Sequence, residues 1–349
     1  MKAVQIVELS GPRDALRVVD VPEPPAEHPV TPGRGVVVDV KAAGVAFPEV
    51  LQTRGQYQVK PELPFIPGSE VGGVVKSAPE GAAVKPGDRV AAFCLLGGWA
   101  EVAVAPEFFA FALPDELDFA QGAGLILNYH TAYFSLKLRG RLAEGETVLV
   151  HGAAGGIGTA SLQIAKGLGA TTIAVVSSDE KERVAREAGA DHVVRSDGPW
   201  KDEAKELSGG GVDVVVDPVG GDRFTDSLRA LREGGRVIVV GFTGGSIPEV
   251  RVNRLLLNNT EVIGAGWGAY VLSKPDVNRE IGQAIEKAMN RLPDRQRAAI
   301  ALCYDQGLSC AEAAEAMNVS VGTMESLLFR ARRSLREWLS PIAAELEER

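Results

Sequence analysis

The sequence has few of the residues that build metal centres and disulfide frameworks. Its 349 residues include only three cysteines and four histidines. Neither set has the spacing of a metal site, and Cys94, Cys303 and Cys310 are too few for a disulfide scaffold. These absences exclude the classes of small protein that are held together by structural metal ions or by disulfides. They predict a cytoplasmic protein without a bound metal.

Positive charge and long apolar runs are also scarce. The chain carries 37 lysines and arginines against 46 acidic residues, which gives a formal net charge of -9. This balance does not favour nonspecific nucleic-acid binding by the whole chain, although it allows a local basic surface. The N-terminus lacks a signal-peptide pattern, and no apolar run is long enough to span a membrane. We therefore expect no membrane partner.

A glycine-rich segment at residues 152–158 stands between two apolar runs. Residues 148–150 predict a buried strand before it, and residues 172–176 predict a second strand after it. Between the glycines and the second strand, apolar residues recur at helical spacing. Strand, tight turn, helix and strand form the unit that binds a dinucleotide. The other interpretation is an ordinary glycine-rich connection in an α/β protein.

The pattern of strands and helices divides the chain into three parts. Short apolar runs separated by Pro-Gly turns predict a small barrel with strands at 2–9, 16–21, 36–42, 71–76, 89–93 and 99–104. A doubly wound parallel sheet is predicted with strands at 148–151, 172–176, 192–194, 212–216, 236–240 and 261–264. Helices are expected at 120–138, 158–167, 179–188, 224–231 and 276–290, and then, in an all-helical end, at 294–304, 310–317 and 321–339.

Seven segments occur in one order through residues 1 to about 288. They are GVAFPEVLQTRGQYQ, LPFIPGSEVGGVV, KPGDRVAAF, NYHTAYFSL, VLVHGAAGGIGTASLQIAK, DVVVDPVGGDRF and GRVIVVGFTGG. On these motifs the chain resembles the zinc-independent quinone oxidoreductases of the medium-chain dehydrogenase/reductase family. The resemblance implies an α/β protein with a GroES-like β-barrel catalytic domain at 1–120, a Rossmann NADPH-binding domain at 121–270 and a joining helix at 271–290.

The resemblance also implies an activity and an assembly. The activity is hydride transfer from NADPH to a quinone or another conjugated carbonyl. The assembly is a homodimer formed through the last Rossmann strand, residues 261–264. Zinc-dependent relatives carry Cys and His ligands in the first domain, but the corresponding places here read Gly44-Val45-Ala46 and Gly68-Ser69-Glu70. Neither place offers a thiolate or an imidazole, so no catalytic zinc is expected.

The end of the second Rossmann strand predicts which nicotinamide cofactor is used. NAD-binding proteins usually place an acid there to hold the ribose 2′-hydroxyl. This chain has Ser177 and Ser178 with Lys181 just beyond, which suit a 2′-phosphate and therefore NADPH. Asp179 and Glu180 follow closely, and an acid there is typical of NAD-binding proteins, so NADH remains an alternative cofactor. Lys181 could equally be an ordinary solvent-exposed lysine.

Further site residues follow from the matched motifs. Besides the two serines and the lysine, the predicted cofactor contacts are Thr131, Gly155, Gly156, Ile157, Gly241, Phe242 and Thr243. The predicted substrate-pocket residues are Tyr57, Asn128 and Trp267. The glycines and Ile157 would offer backbone N–H groups to the pyrophosphate.

Several alternatives accompany these assignments. Thr131 could simply bond its own helix backbone, and the two aromatic residues could be packing residues. The chain also departs from the family at two places, with Ala46 where Asn is frequent and Ser196 where Tyr is frequent. No catalytic side chain is identified, because solvent can supply the proton in quinone reduction.

The end of the chain, at 291–349, resembles a second family. In place of the usual return to the first domain, the segment LPDRQRAAIALCYDQGLSCAEAAEAMNVSVGTMESLLFRARRSLREWL resembles region 4 of extracytoplasmic-function sigma factors. This resemblance implies a helix-turn-helix that contacts DNA or RNA polymerase, with predicted DNA contacts at Thr323, Ser326, Arg330 and Arg333. A packing module with a solvated arginine face is the alternative. We expect the lack of the usual family segment that returns to the first domain to lower the stability or turnover of the protein. An equal thermal midpoint and turnover in a version with that segment restored would contradict this expectation.

Two functions of different classes follow from the sequence. The leading one is a zinc-independent, NADPH-dependent reductase with an appended helix-turn-helix. The alternative is a DNA-binding, sigma-like regulator whose reductase portion serves as a scaffold or redox sensor.

Overall fold

The computed structural model describes residues 1–274, 277, 282, 310–328 and 331 of the chain. Most of them form two compact units, Met1–Leu127 and Asn128–Ser273, which are described separately. No helix in the described ranges is long and apolar enough to cross a membrane. The predicted helices 276–290 and 294–304 lie outside the described residues, except at positions 277 and 282.

The first unit is built on antiparallel β-structure. A five-stranded sheet contains β3 (Gly35–Ala43), β4 (Glu70–Ser77), β5 (Arg89–Phe93), β6 (Val102–Pro106) and β7 (Ala110–Ala112), in the order β6-β3-β4-β5-β7. A separate pair is formed by β1 (Lys2–Ile6) and β2 (Leu16–Asp20). Valine and alanine side chains alternate inward along the large sheet and form its core, which is why these short runs fold as strands.

The predicted strand 99–104 begins too early. The carbonyl of Trp99 accepts a hydrogen bond from the Val4 N–H, and the Trp99 N–H donates to Pro67. These bonds commit Trp99 to β1 and a neighbouring loop, so β6 starts only at Val102. Two short helices, α1 (Phe47–Gln52) and α2 (Phe119–Gly122), lie in the connections.

The second unit is a six-stranded parallel sheet with helical connections. Its strands are β8 (Thr147–Val150), β9 (Thr171–Val176), β10 (His192–Arg195), β11 (Val212–Asp217), β12 (Leu231–Val239) and β13 (Glu261–Gly264). Their order is β10-β9-β8-β11-β12-β13, and all five neighbouring pairs are parallel. This order confirms the doubly wound Rossmann prediction and places the strand reversal between β8 and β11.

The helices of the second unit agree with the sequence prediction only in part. They are α3 (Ile126–Tyr133), whose first two residues belong to the first unit, α4 (Gly156–Gly167), α5 (Asp179–Glu187), α6 (Trp200–Leu207), α7 (Phe224–Ala230), α8 (Asn253–Asn258) and α9 (Trp267–Ser273). The expected continuous helix 120–138 is wrong. It divides into α2, which Asp118 caps at its N-terminus and which ends at Gly122, then α3 and a π-helical turn at Phe134–Arg139.

The described part of the C-terminal segment is a helix, a turn and a helix. Helix α10 (Cys310–Ala316) is followed by a turn in which Asn318 has a positive φ of 51°, and residues 321–328 form α11. The Ser320 hydroxyl accepts the Thr323 N–H at 3.1 Å and caps α11. Met324, Leu327, Leu328 and Ala331 are buried on one helix face.

Candidate active site

The glycine-rich turn connects β8 to α4 and is closely packed around Gly156 and Gly158. Gly152 has a φ of 57°, and a Cβ on Gly158 would lie 2.3 Å from the Gly152 carbonyl oxygen. The turn therefore closes tightly on its own backbone. Gly155 precedes α4 as its N-cap, so the first N–H groups of the helix, at Gly156 and Ile157, have no intrahelical acceptor. This arrangement can receive the pyrophosphate of a dinucleotide.

Helix α3 packs against the same turn. A Cβ on Gly156 would lie 2.5 Å from the Asn128 amide oxygen, so this amide occupies the space above the glycine. One residue further, the Tyr129 hydroxyl donates a hydrogen bond to Gln163 of α4. Thr131, one helical turn after Asn128, is buried in the same helix. The structure thus brings Asn128, predicted for the substrate pocket, onto the dinucleotide turn.

A polar cluster stands at the carboxyl end of β9. The Lys181 ammonium donates to the Ser177 hydroxyl at 2.9 Å, and the Lys181 N–H donates to the Ser178 hydroxyl at 3.3 Å. Ser178 is the N-cap of α5, which fixes the strand-to-helix turn. The three residues predicted to recognise the cofactor at this strand end therefore lie together.

Arg195 joins this cluster, although the sequence prediction did not include it. Its Nη2 donates to the Ser177 carbonyl oxygen at 3.1 Å, and its Nη1 lies 2.5 Å from an Asp179 carboxylate oxygen. Arg195 is the last residue of β10 and pairs in register with Val176 of β9. In a Rossmann sheet the third strand lies beside the second, so a basic residue at its carboxyl end was a usable signal.

The loop after β12 folds back over the loop after β11. Thr243 donates its N–H to the Pro218 carbonyl at 3.1 Å, and Gly241 lies beside the same residue. The Phe242 ring closes on Gly220, whose φ is 67° and whose Cβ would lie 2.9 Å from the ring. The glycine turn after β8 meets this pair of loops, because Gly152 faces Val219. The carboxyl ends of three strands thus form one edge that can hold a ligand.

The remaining pocket candidates have different surroundings. Trp267 is buried in the second unit, with its ring 5.7 Å from that of His130 in an edge-on contact. Tyr57, in the first unit, is half-buried and lines a small recess with Gln52 and Phe65. Burial raises the pKa of Tyr57, and the nearby Glu49 carboxylate raises it further.

The places that carry metal ligands in zinc-dependent relatives are occupied by other chemistry. Ala46 offers only a methyl group, and its N–H donates to Glu49 at 2.8 Å. The Ser69 hydroxyl donates to the same carboxylate at 2.5 Å, and the Ser69 N–H donates to it at 3.0 Å. Within the described ranges, no group of three or more His, Cys, Asp or Glu side chains could hold a metal ion.

Glu70 is a second buried carboxyl group in the first unit. It is 3 % exposed and accepts the Leu127 N–H, near the start of α3, at 2.9 Å. Burial raises the pKa of Glu70 to about 8, and repulsion from Glu49 acts in the same direction. At neutral pH this side chain is therefore mostly protonated.

His151 is the buried titratable group next to the glycine turn. Its ring is fully enclosed, contacts Trp200 edge-on at 4.9 Å and bonds the Ser227 hydroxyl through Nε2 at 2.8 Å. Burial lowers the pKa of His151 to about 4, although the Asp217 carboxylate acts to raise it. The enclosed imidazole is therefore mostly neutral at pH 7, and it packs against Trp200 and Ser227.

Only two of the predicted DNA contacts fall within the described residues. Thr323 and Ser326 are exposed on α11, whereas Met324, Leu327 and Leu328 of the same helix are buried. Arg330 and Arg333 lie outside the part of the chain that the structure describes.

Three family models match the chain. The alcohol dehydrogenase GroES-like domain matches residues 32–115, the zinc-binding dehydrogenase model matches 156–287, and sigma-70 region 4 matches 282–335. The first two correspond to the β-rich unit and the Rossmann unit. The third overlaps the second at 282–287, shortly before the end segment 291–349 that resembles region 4.

Similar proteins agree with these matches. Quinone oxidoreductase-like protein 2 of Mus musculus is 42% identical over 249 residues, covering 70% of this chain and 71% of that protein. A probable oxidoreductase from Mycobacterium abscessus has a similar structure, with a TM-score of 0.71, 46% identity and coverage of 82% of this chain and 86% of that one. The quinone oxidoreductase of Thermus thermophilus, solved alone and with NADPH, has a TM-score of 0.63, 35% identity and coverage of 76% and 79%.

The fold, the glycine turn and these relatives agree with one another. The tested expectations of fold class and family are confirmed, including the second resemblance at the end of the chain. The chain belongs to the quinone oxidoreductase family of the medium-chain dehydrogenases/reductases, as a nicotinamide-dependent oxidoreductase with a sigma region 4 segment appended.

Proposed function

We propose that the chain is an NADPH-dependent reductase that transfers hydride to a quinone or another conjugated carbonyl. The observation that carries the choice of NADPH is the cluster of Ser177, Lys181 and Arg195 at the carboxyl end of β9. Two cations and a hydroxyl suit a 2′-phosphate, which binds best to paired basic groups and donors. The bound cofactor supplies the hydride, and the protein's part is to hold it and to shape the acceptor site.

The roles of individual residues follow from their positions. The N–H groups of Gly156 and Ile157 would hold the pyrophosphate, and Asn128 and Thr131 would align the cofactor beyond it. Gly241, Phe242 and Thr243 would cover the same edge of the sheet. Relatives solved with NADPH include the Thermus thermophilus and Escherichia coli quinone oxidoreductases, which supports this cofactor.

We propose that the reaction does not use a catalytic zinc. The residues at the two ligand places do not fit one, since Ala46 has no donor atom and the Ser69 hydroxyl is bonded to Glu49. Zinc in catalytic sites needs three protein ligands, usually His, Cys or carboxylates. Turnover that survives dialysis against a strong chelator, with unchanged kcat, is the expected result. Loss of turnover that zinc alone restores would contradict it.

Cofactor binding and turnover are tested separately. NADPH alone should raise the thermal midpoint of the protein more than NADH at the same concentration, because only the folded state binds it. Mixing NADPH with a small benzoquinone should then lower the reduced-nicotinamide absorbance near ~340 nm. Absence of turnover with several quinones and enones, despite NADPH stabilisation, would reject the reductase while keeping the cofactor.

Lys181→Ala provides the matched test of the cluster. We expect roughly a tenfold weaker affinity for NADPH and little change for NADH, because an exposed cation on a phosphate contributes about 1 to 2 kcal/mol. Lys201→Ala, on α6 of the same unit, is the control and should leave both affinities unchanged. Equal losses for NADPH and NADH would show that Lys181 does not contact the 2′-phosphate.

We also propose a homodimer through β13. This strand is the last in the sheet order, and exposed apolar side chains precede it: Val252, Leu256 and Leu257 are 75%, 77% and 76% exposed. Such a patch beside an edge strand is typical of an interface. Sedimentation should give a dimer, and Leu256→Glu with Leu257→Glu should give a monomer. Val18→Glu, at a 72% exposed position in the first unit, is the control. A wild-type monomer would instead favour an edge covered by the chain's own C-terminal segment.

A second candidate function rests on the C-terminal segment. Ser320 caps α11, and Thr323 and Ser326 are exposed on the first turns of that helix, where a recognition helix presents side chains to base edges. We propose that this segment binds promoter DNA or RNA polymerase. A mobility shift that weakens steeply with salt would support DNA binding, and no shift at low salt would reject it.

A further inference from the structure

Asp179 lies where it can compete with the cofactor. Its carboxylate is 2.5 Å from Nη1 of Arg195, and its side chain is 98% exposed. The same arginine donates through Nη2 to the Ser177 carbonyl, so the guanidinium is fixed at the carboxyl end of β9. Asp197 is a weaker partner, at 3.5 Å from Nε. The two Nη groups are thus committed within the protein.

A 2′-phosphate at this strand end needs the donors that Asp179 holds. Lys181 reaches the Ser177 hydroxyl from the α5 side, and Arg195 reaches the Ser177 carbonyl from the β10 side. A phosphate between the two cations would take up Nη1 of Arg195, since guanidinium groups bind phosphate through paired N–H donors. Asp179 and the phosphate are both anionic, so they cannot share that donor without repulsion.

We propose that Asp179 is an internal competitor for Arg195 that limits how tightly the protein binds NADPH relative to NADH. This inference rests on the proposed use of NADPH. In the free protein the carboxylate neutralises the arginine. When the 2′-phosphate binds, it displaces the carboxylate from Nη1, and the exposed Asp179 side chain turns to solvent. NADH has no 2′-phosphate, so its binding does not require this exchange.

The competitor is tested by Asp179→Asn, with fragments of the cofactor as probes. Calorimetry should show that 2′,5′-ADP binds the variant roughly three- to tenfold more tightly than wild type, from the size of exposed charge pairs. Affinity for 5′-AMP should not change. Asp226→Asn, which removes the partner of Arg229 on α7, is the matched control and should change neither affinity. Because the effect is between exposed charges, it should shrink in high salt.

Three results would overturn the inference. One is weaker binding of 2′,5′-ADP to Asp179→Asn, which would mean that the carboxylate holds Arg195 ready for the phosphate. Another is unchanged binding. The third is a gain that persists in the Arg195→Ala background, because a double-mutant cycle then shows that Asp179 does not act through the arginine. Failure of the NADPH proposal is recognised separately, by a wild-type protein that does not prefer 2′,5′-ADP to 5′-AMP.

Discussion

Among the described residues, burial shifts the pKa most strongly for a carboxyl group in the first unit and for an imidazole in the second. Glu70 is enclosed beside Glu49 in the β-rich unit, and burial raises its pKa to about 8. His151 is enclosed beneath the Rossmann sheet, and burial lowers its pKa to about 4. Both groups are therefore mostly neutral at pH 7, for the same physical reason. The comparison teaches that one cause gives the two units opposite dependence on pH.

The sign of each effect follows from linkage. Folded Glu70 keeps a proton that the unfolded chain, with a pKa of 4.5, releases, so the first unit loses stability as pH rises from 4.5 to about 8. Folded His151 refuses a proton that the unfolded chain, with a pKa of 6.5, accepts, so the second unit loses stability as pH falls from 6.5 to about 4. The two windows overlap between pH 4.5 and 6.5, where the opposite slopes offset each other, so the whole protein should be most stable in that range.

The largest expected effect belongs to Glu70→Gln. The amide keeps an acceptor for the Leu127 N–H but does not ionise. Near pH 5 the variant and wild type should have similar free energies of unfolding, and at pH 9 the variant should be more stable by several kcal/mol, up to roughly 5. Urea unfolding of fluorotryptophan-labelled protein, followed by fluorine NMR, measures this at Trp99 of the first unit.

Two results would break this half of the comparison. One is a constant difference between Glu70→Gln and wild type at all pH values. The other is the same pH-dependent gain in Glu62→Gln, which alters an exposed carboxylate of the first unit and serves as the control.

His151→Gln tests the other half of the comparison. Wild type should lose roughly 3 kcal/mol of stability in the second unit between pH 6.5 and 4, and the variant should lose almost none of it. At pH 7 the variant should be less stable by about 1 kcal/mol, because the edge-on contact with Trp200 is lost. The Trp200 resonance reports the second unit. Parallel acid profiles for the two proteins would show that His151 is not the titrating group.

His28 is expected to give the smallest effect. It gives the first unit an acid-side loss of the kind that His151 gives the second. This buried histidine belongs to the first unit, where its Nδ1 accepts the Val30 N–H and its Nε2 faces the Cys94 carbonyl at 3.1 Å. Burial lowers the pKa of His28, while the bond to that carbonyl acts to raise it. The first unit should therefore also lose a little stability below pH 6.5, less than the His151 effect.

His28→Gln should remove that small acid-side loss at the Trp99 resonance and leave the Trp200 resonance unchanged. His192→Gln, in β10, is the control and should change neither. If the loss of stability caused by His28 below pH 6.5 were as large as that caused by His151, the two units would have the same pH dependence on the acid side.

The fold could be predicted from the sequence wherever local pattern and topology agree. Six apolar runs separated by helices gave the parallel sheet, because parallel strands need crossovers and leave few strand orders. The glycine turn could be predicted because a backbone that packs as closely as Gly158 does on Gly152 requires glycine at that position, and glycines are visible in the sequence. The helix 120–138 was wrong, because periodicity does not show where a capped helix stops.

The site was predicted from the sequence mainly where its residues are close together in the chain. Ser177, Ser178 and Lys181 lie within one strand-to-helix turn, and the structure brings them together. Arg195 joins them through the pairing of β10 with β9, which no local pattern shows. The burial of Glu70 likewise depends on packing by residues distant in the chain, and an acid in a motif does not reveal whether it is ionised.

The contact between Asn128 and Gly156 has a consequence for engineering. A side chain at 156 would displace the Asn128 amide, so a substitution at 156 also changes the position of Asn128. A library that varies residue 156 alone and is screened for folding should return mostly glycine. A library that also admits Ser or Ala at 128 should return alanine at 156. Recombination between such libraries must therefore inherit positions 128 and 156 together.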